Sequence, residues 1–265
     1  METSPRARLL SDLLQEAGAR ALPVCGTMRP LHLKADDSPV TAADLVAEAV
    51  LLAGLRAGFP GDLLHSEEAG GGRSDDPAVG WWVIDPIDGT SAFTEGLAHW
   101  GPTVARFQGG RLDCGAIWLP RLSEFYYVGR GDPGAASGGL TALLNGQPLP
   151  PLSTRPVPSV IYLPSRFHRY GMLDSRCKAR CLGGTAAHLA GVARGGSAAT
   201  IVAPGWSLWD VAAGLGLLEA VGGLALRFDG APLDPIRDEG VGFLAGFPEF
   251  VTMLLREGRL GFRSG

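Results

Sequence analysis

The string running from Trp81 to Thr90, WWVIDPIDGT, constrains this chain more than any other. Its apolar run reads as a strand, and Pro86, which has no N–H for a ladder, stops it, so a strand is predicted to end at Asp85 with the carboxylate at its tip. Two carboxylates, a rigid turn and a glycine then lie between that strand and an expected helix start. The turn has two readings. One is a cradle for a hard cation such as magnesium, which prefers oxygen ligands in octahedral geometry, with Asp85, Asp88 and the carbonyl of Ile87 in reach and Asp85 able to serve two ions. The other is a type I turn capped by aspartate, because Asp-Gly turns are common. Gly89 lets the backbone approach a ligand closely, and the amides of Gly89 and Thr90 at a helix N-terminus favour a phosphate oxygen.

The surrounding pattern predicts a mixed α+β and α/β fold. Leu9, Leu10, Leu13, Leu14 and Ala17 recur at helical spacing before Gly18, and a second helical face follows Thr41 through Leu45, Val46, Ala49, Val50, Leu52 and Ala53, with Thr41 and Asp44 at capping-box spacing. Val104–Phe107, a Gly-Gly turn and Leu112–Trp118 read as a hairpin, and Glu124–Val128 extends it into an antiparallel meander. Residues 129–139 read as a mobile loop, and Asn145-Gly146 as part of a connector with a boundary near Pro150. Beyond it, strands near residues 160–163, 199–203, 224–228 and 241–245 alternate with helices near 185–194, 208–221 and 249–257. Two halves are therefore expected, 1–150 and 151–265.

Composition narrows the function. A net charge of -4 gives no broad basic field, so neither nucleic acid nor an anionic membrane is an expected partner. No stretch is apolar enough for a signal peptide or a membrane span, which reads as a cytoplasmic protein. Cys25, Cys114, Cys177 and Cys181 form no zinc pattern and are expected as free, buried thiols.

Two further acidic strings carry weight in combination. Glu67 and Glu68 are adjacent acids that repel unless solvated or bound to a cation, and Asp210 opens an apolar helix, where capping alone would account for it. Taken with the stretch from Asp36 to Asp44, with WVIDPIDGTSAF, Asn145-Gly146, GGTAAHLAGVARG and WDVAAGLGLLEAVGG, they make a chain that resembles the inositol monophosphatase family. These are lithium-sensitive, magnesium-dependent phosphatases whose wider superfamily includes fructose bisphosphatases and nucleotide 3'-phosphatases. The resemblance covers nearly the whole sequence.

The resemblance implies a layered αβαβα sugar-phosphatase fold, a homodimer, and an active site between the two halves. It implies that Glu67, Asp85 and the Ile87 carbonyl hold a first magnesium, that Asp85, Asp88 and Asp210 hold a second, and that a weaker third ion uses Glu67. Thr90, paired with Asp44 or Glu67, would orient the attacking water. Asp88 and the Gly89 and Thr90 amides would hold the substrate, with Gly184, Thr185 and Ala186 forming a pocket wall. Lys34 matches a basic residue of the family near the metals but carries no role here. One position departs. Inositol-specific members place a Glu seven residues before the last metal-binding Asp, and this chain has Ala203, which cannot accept hydrogen bonds from a polyol.

The expected function is magnesium-dependent hydrolysis of a small phosphorylated metabolite, an inositol-monophosphate-like or other sugar or alcohol phosphate. Histidinol phosphate, a 3'-phosphonucleotide or fructose bisphosphate are alternative substrates, and a catalytically silent binding or regulatory member is the alternative of another class. A haloacid-dehalogenase-type mechanism needs its two aspartates two residues apart on a first strand, whereas Asp85 and Asp88 are three apart and deep in the chain. No GxSxG elbow and no GxxxxGK[ST] loop is present.

Overall fold

The first helix is also the first element to depart from its expected bounds. A computed structural model describes residues 4–27, 29–30, 32–33, 39–132, 138–173, 177–257 and 260–262. Within it α1 spans Pro5–Ala21, capped by Ser4, and runs straight through Gly18. A Cβ at Gly18 would meet the Trp118 ring at 2.7 Å, so this glycine lets the helix lie close to the sheet and ends nothing. The buried stripe is Leu10, Leu13, Leu14 and Ala17, with Leu9 exposed.

The second helix, α2 (Ala42–Gly58), starts at the expected capping box but turns the other way. Its buried face is Ala43, Asp44, Ala47, Glu48, Leu51 and Leu55, while Leu45 and Val46 stand nearly half exposed. Hydrophobic periodicity pointed to the wrong face because two carboxylates are turned inward.

An eight-stranded sheet follows. In spatial order its strands are Gln147–Pro148, Leu140–Leu144, Glu124–Arg130, Arg111–Leu119, Gly101–Gln108, Trp81–Asp88, Leu63–Ser66 and Gly70–Gly71. All neighbours are antiparallel except Leu63–Ser66, which pairs in parallel with Trp81–Asp88. The expected meander is therefore present. Leu140–Leu144 and Gln147–Pro148 add a hairpin around Asn145-Gly146, both at positive φ, where the sequence reading had only a connector. The expected loop begins later than residue 129, since the strand continues to Arg130, and residues 133–137 lie outside the described residues. Lys34 and residues 36–38 of the acidic stretch also lie outside them.

The short α3 (Thr90–Thr94) leaves the end of the central strand, and α4 (Phe167–Tyr170) is a single turn. Then α5 (Thr185–Ala193), α6 (Leu208–Ala220) and α7 (Pro248–Arg256) alternate with a five-stranded sheet. Its order is Lys178–Arg180, Val160–Tyr162, Ala199–Val202, Phe243–Gly246 and Leu224–Arg227, the first three parallel and the last two antiparallel.

The layers follow from which faces are apolar. One hydrophobic cluster, with Leu10, Leu14, Leu51, Trp82 and Ile84, joins α1 and α2 to one face of the large sheet. The other, with Trp81, Val83, Leu189, Val211, Ile201, Phe243 and Val251, runs without interruption from the opposite face through α5 and α6 to the second sheet and α7. The result is the αβαβα stack. Among the described residues, no helix is long and apolar enough to cross a membrane. All four cysteines are free, as expected, but only Cys114 is buried, and Cys181 is exposed.

Candidate functional site

Everything at the site turns on one irregularity in the central strand. It does not stop at Pro86 but continues to Asp88, with Asp85 opposite Thr103 and Asp88 opposite Gly101. Three residue steps on one strand face two on its partner, which is a bulge of one residue, and Pro86 fits there because a bulge leaves a position without a ladder bond. In a regular strand two residues three apart face opposite sides. The extra residue cancels that alternation, so Asp85 and Asp88 both point toward α6 while Ile87 is buried among Trp82 and Ile84 on the α1–α2 side.

The α6 helix supplies the third carboxylate. Asp210 sits three residues after Ser207, whose amide donates to Asp210 Oδ2 at 2.8 Å, so one oxygen caps the helix. One carboxylate oxygen each from Asp85, Asp88 and Asp210 lie within 4.8 Å of one another. Glu239 steadies this helix end by accepting the Leu208 amide at 2.7 Å while ion-paired to Arg73 at 2.6 Å.

Asp88 is held by the start of α5. Its Oδ1 accepts the Thr185 amide and its Oδ2 the Ala186 amide, each at 3.0 Å, at the start of α5. Gly184 precedes them because a Cβ there would collide with Asp88 Oδ2, and Gly89, at φ +84°, faces the Gly184 backbone too closely for any side chain. These two glycines let the end of the central strand and the start of α5 approach each other. The amides of Thr185 and Ala186 favour the ionised form of Asp88, yet burial outweighs them and Asp88 is pushed up to about 7, with Glu67 adding to the rise. Asp85 is raised well above the carboxylate range, first by burial and then by the charges of Glu67, Asp88 and Asp210. Its own Oδ1 accepts the Ile87 amide at 2.8 Å.

Glu67, Asp85, Ile87, Asp88, Gly89, Thr90, Gly184, Thr185 and Asp210 line a single cleft of about 600 Å³. Ala186 stands behind it on Asp88. Thr90 donates its hydroxyl to the Ile87 carbonyl at 3.1 Å. Asp44 is buried behind the cleft, where the Thr41 amide and hydroxyl both donate to its Oδ2 at 2.7 and 2.6 Å and Oδ1 has no partner. No hydrogen bond joins Thr90 to Asp44. Burial, then the charges of Glu68 and Glu67, raise Asp44 to about 6 against the pull of the Thr41 hydrogen bonds.

A second cavity of about 220 Å³ shares Ser165, Gly183, Thr185 and Asp210 and adds His188, Ala203, Pro204 and Trp206. His188, given no role from sequence, is 3% exposed, stacks on Tyr162 and accepts the Leu182 amide at Nε2; burial lowers it to about 4, so it is a neutral structural residue. His168 is exposed on α4. Arg166 also lines the main cleft and was not singled out from sequence, where nothing marks one arginine among 23 basic residues.

The chain matches the model of the inositol monophosphatase family over residues 4–247 and belongs to that family. Its coarse functional class is accordingly a phosphatase of small phosphorylated metabolites. It is 37% identical over 153 residues to a histidinol-phosphatase of Chlorobaculum parvum, a match that spans 55% of this chain and about half, 53%, of that protein. It is 32% identical over 203 residues to the Nus factor SuhB of Escherichia coli K12, covering 74% of each. The fold is that of a Thermotoga maritima IMPase, with a TM-score of 0.79, 23% identity, and 96% and 98% of the two chains covered.

Proposed function

We propose that this protein is a magnesium-dependent phosphomonoesterase that hydrolyses a small phosphorylated metabolite by direct attack of water. The observation that carries the reading is the convergence of Asp85, Asp88 and Asp210, two of them buried, with their oxygens inside 4.8 Å. Buried carboxylates so close are costly to ionise unless bound to a cation: burial first, and then neighbouring charges (Glu67, Asp88 and Asp210 at Asp85, Glu67 at Asp88), raises both Asp85 and Asp88. An all-oxygen donor set on a rigid strand end suits magnesium rather than a softer metal.

Glu67, Asp85 and the Ile87 carbonyl would hold one ion, Asp85, Asp88 and Asp210 a second, and Glu67 would share a weaker third. Magnesium supplies a more acidic water and neutralises charge on the leaving oxygen. The chain's own groups do the rest. Gly89 and Thr90 present amides to the phosphate, and Asp88, held by Thr185 and Ala186, keeps the pocket wall against it. Thr90 has a second task. Its hydroxyl donates to one lone pair of the Ile87 carbonyl and leaves the other for a ligand role, and turning it to donate to Glu67 or Asp44 would direct its oxygen at the attacking water. A homodimer and lithium inhibition go with the same reading.

A leaving group extending into the smaller cavity would face Ala203 and the neutral His188, and among the described residues that line it Asp210 is the one charged acceptor, which disfavours a polyol. A second reading, a nucleotide or other bis-anionic ester, is favoured by Arg166, the one cation among the described residues that line the main cleft. Phosphate release from inositol phosphate, histidinol phosphate, fructose bisphosphate and a 3'-phosphonucleotide, with and without magnesium, tests both. Cleavage of one ester by wild type with magnesium, abolished in Asp88→Asn, is the expected result. Cleavage of none, with metal still bound, would leave a binding or regulatory role in its place.

A further inference from the structure

The inward turn of α2 has a cost that capping does not explain. The helix exposes Leu45 and Val46 and buries Asp44 and Glu48, the reverse of what burial energetics favours. Glu48 is 7% exposed, one helical turn after Asp44, and has no basic partner among the described ion pairs. Its Oε1 instead takes two hydrogen bonds from one short segment, the Ser66 hydroxyl at 2.5 Å and the Ala69 amide at 2.9 Å.

Those two donors bracket Glu67 and Glu68. Ser66 is the last residue of its strand, opposite Ile84 in the central strand, and the Glu67 amide is pinned to the Ile84 carbonyl at 3.0 Å. Past that point the sheet no longer guides the chain until Ser66 and His65 pair with Gly70 and Gly71. One carboxylate thus ties both ends of the turn that presents Glu67 to Asp85. We infer that Glu48 is a positioning residue for the metal centre: it fixes the 66–69 turn so that the Glu67 carboxylate is delivered to the cleft. The inference rests on the metal-dependent reading above, and touches neither substrate nor metal itself.

Outer partners that orient metal ligands typically contribute about 10- to 100-fold in metal affinity. Glu48→Ala should therefore weaken divalent-cation binding by roughly that factor, read by titration with Mn2+ followed by electron paramagnetic resonance and by the Mg2+-dependent rise in Tm, with no ester present. In the activity assay it should raise the Mg2+ concentration for half-activation by about the same factor while the substrate KM at saturating Mg2+ changes by less than about threefold. Glu48→Gln keeps an acceptor for the Ala69 amide and a partner for Ser66, and should restore most of the affinity. A merely structural Glu48 would lower the Tm without metal and leave the cation affinity unchanged, and that result overturns the inference.

Should Glu48→Ala not fold, Ser66→Ala carries the test, since it removes one of the two bonds and little volume; a wild-type Mn2+ affinity in that variant likewise overturns the inference. The two readings fail separately. A wild type that binds Mn2+ but cleaves no ester removes the phosphatase reading and leaves the Glu48 titration valid. A wild type that binds no divalent cation removes both.

Discussion

Two helices in this protein begin in the same way and end up with opposite uses for the same residue. Both α2 and α6 carry an aspartate three residues into a capping box, Asp44 after Thr41 and Asp210 after Ser207, and in each the Oδ2 atom receives the cap amide, at 2.7 and 2.8 Å. The cap fixes the direction of the carboxylate and leaves the other oxygen to its surroundings. At α6 those surroundings are the bulged strand end with Asp85 and Asp88. At α2 they are a closed interior, where Asp44 Oδ1 has no partner. Capping and the proposed metal role are thus compatible accounts of Asp210, since a cap that holds one carboxylate oxygen also sets the direction of the other.

The largest effect should separate cap from ligand at Asp210. Asp210→Asn keeps an oxygen for the Ser207 amide and removes the charge, so the expected outcome is a near wild-type Tm without metal, loss of the Mg2+-dependent rise in Tm, and a fall in kcat of at least about a hundredfold. Asp210→Ala should lose the cap as well, lowering stability by a further ~1 kcal/mol in urea denaturation. If Asn retains full Mg2+ response, Asp210 is a cap and nothing more.

Asp44→Asn should act in the other direction. The folded-state value of Asp44 is raised to about 6, so the folded protein holds a proton that the unfolded chain releases, and this group favours folding less and less as pH rises from about 4 to 6. Removing its charge should stabilise the protein at pH 8 by on the order of 2–3 kcal/mol without changing it much at pH 4. Asp88, raised to about 7, and Asp85 have the same sign. The metal-free protein should therefore lose urea resistance as pH rises from about 4 to about 7, and saturating Mg2+, which favours the ionised forms, should flatten that slope. A drop in kcat of Asp44→Asn alongside its gain in stability marks the role proposed beside Thr90, whereas an unchanged kcat assigns Asp44 to capping alone.

How much of this was legible in the sequence depended on how local the cause was. One hairpin announced itself through Gly109-Gly110, and one capping box through Thr41 and Asp44, while the hairpin at Asn145-Gly146 passed for a connector. That Asp85 and Asp88 could reach one cation was legible in their spacing, but as the product of a turn after a strand ending at Asp85, whereas they share a face through a bulge in a strand that runs on to Asp88, and nothing in the spacing joins them to Asp210. Periodicity failed at α2 for a related reason: counting apolar residues cannot foresee a helix that turns Asp44 and Glu48 inward. Gly18 misled in the same way, since a glycine that ends a helix and one that lets it approach Trp118 look alike until the packing partner is known.

A third helix start sharpens the comparison. The cap position of α5 is Gly184, which has no side chain to offer, and the helix is instead capped from a distance by Asp88, nearly a hundred residues earlier. Here the cap ties down the carboxylate through both of its oxygens, and the space for it exists only because Gly184 lacks a Cβ, which would lie 2.0 Å from Asp88 Oδ2. Gly184→Ala should therefore displace Asp88 rather than the helix, with an overpacking cost of about 1–3 kcal/mol and a loss of Mg2+ affinity nearer tenfold than the larger loss expected at Asp210. Gly184→Ser could cap α5 by itself, so it should recover part of the lost stability and none of the lost affinity. Recovery of both would mean that Asp88 is needed to start the helix and that its place beside Asp85 and Asp210 is incidental.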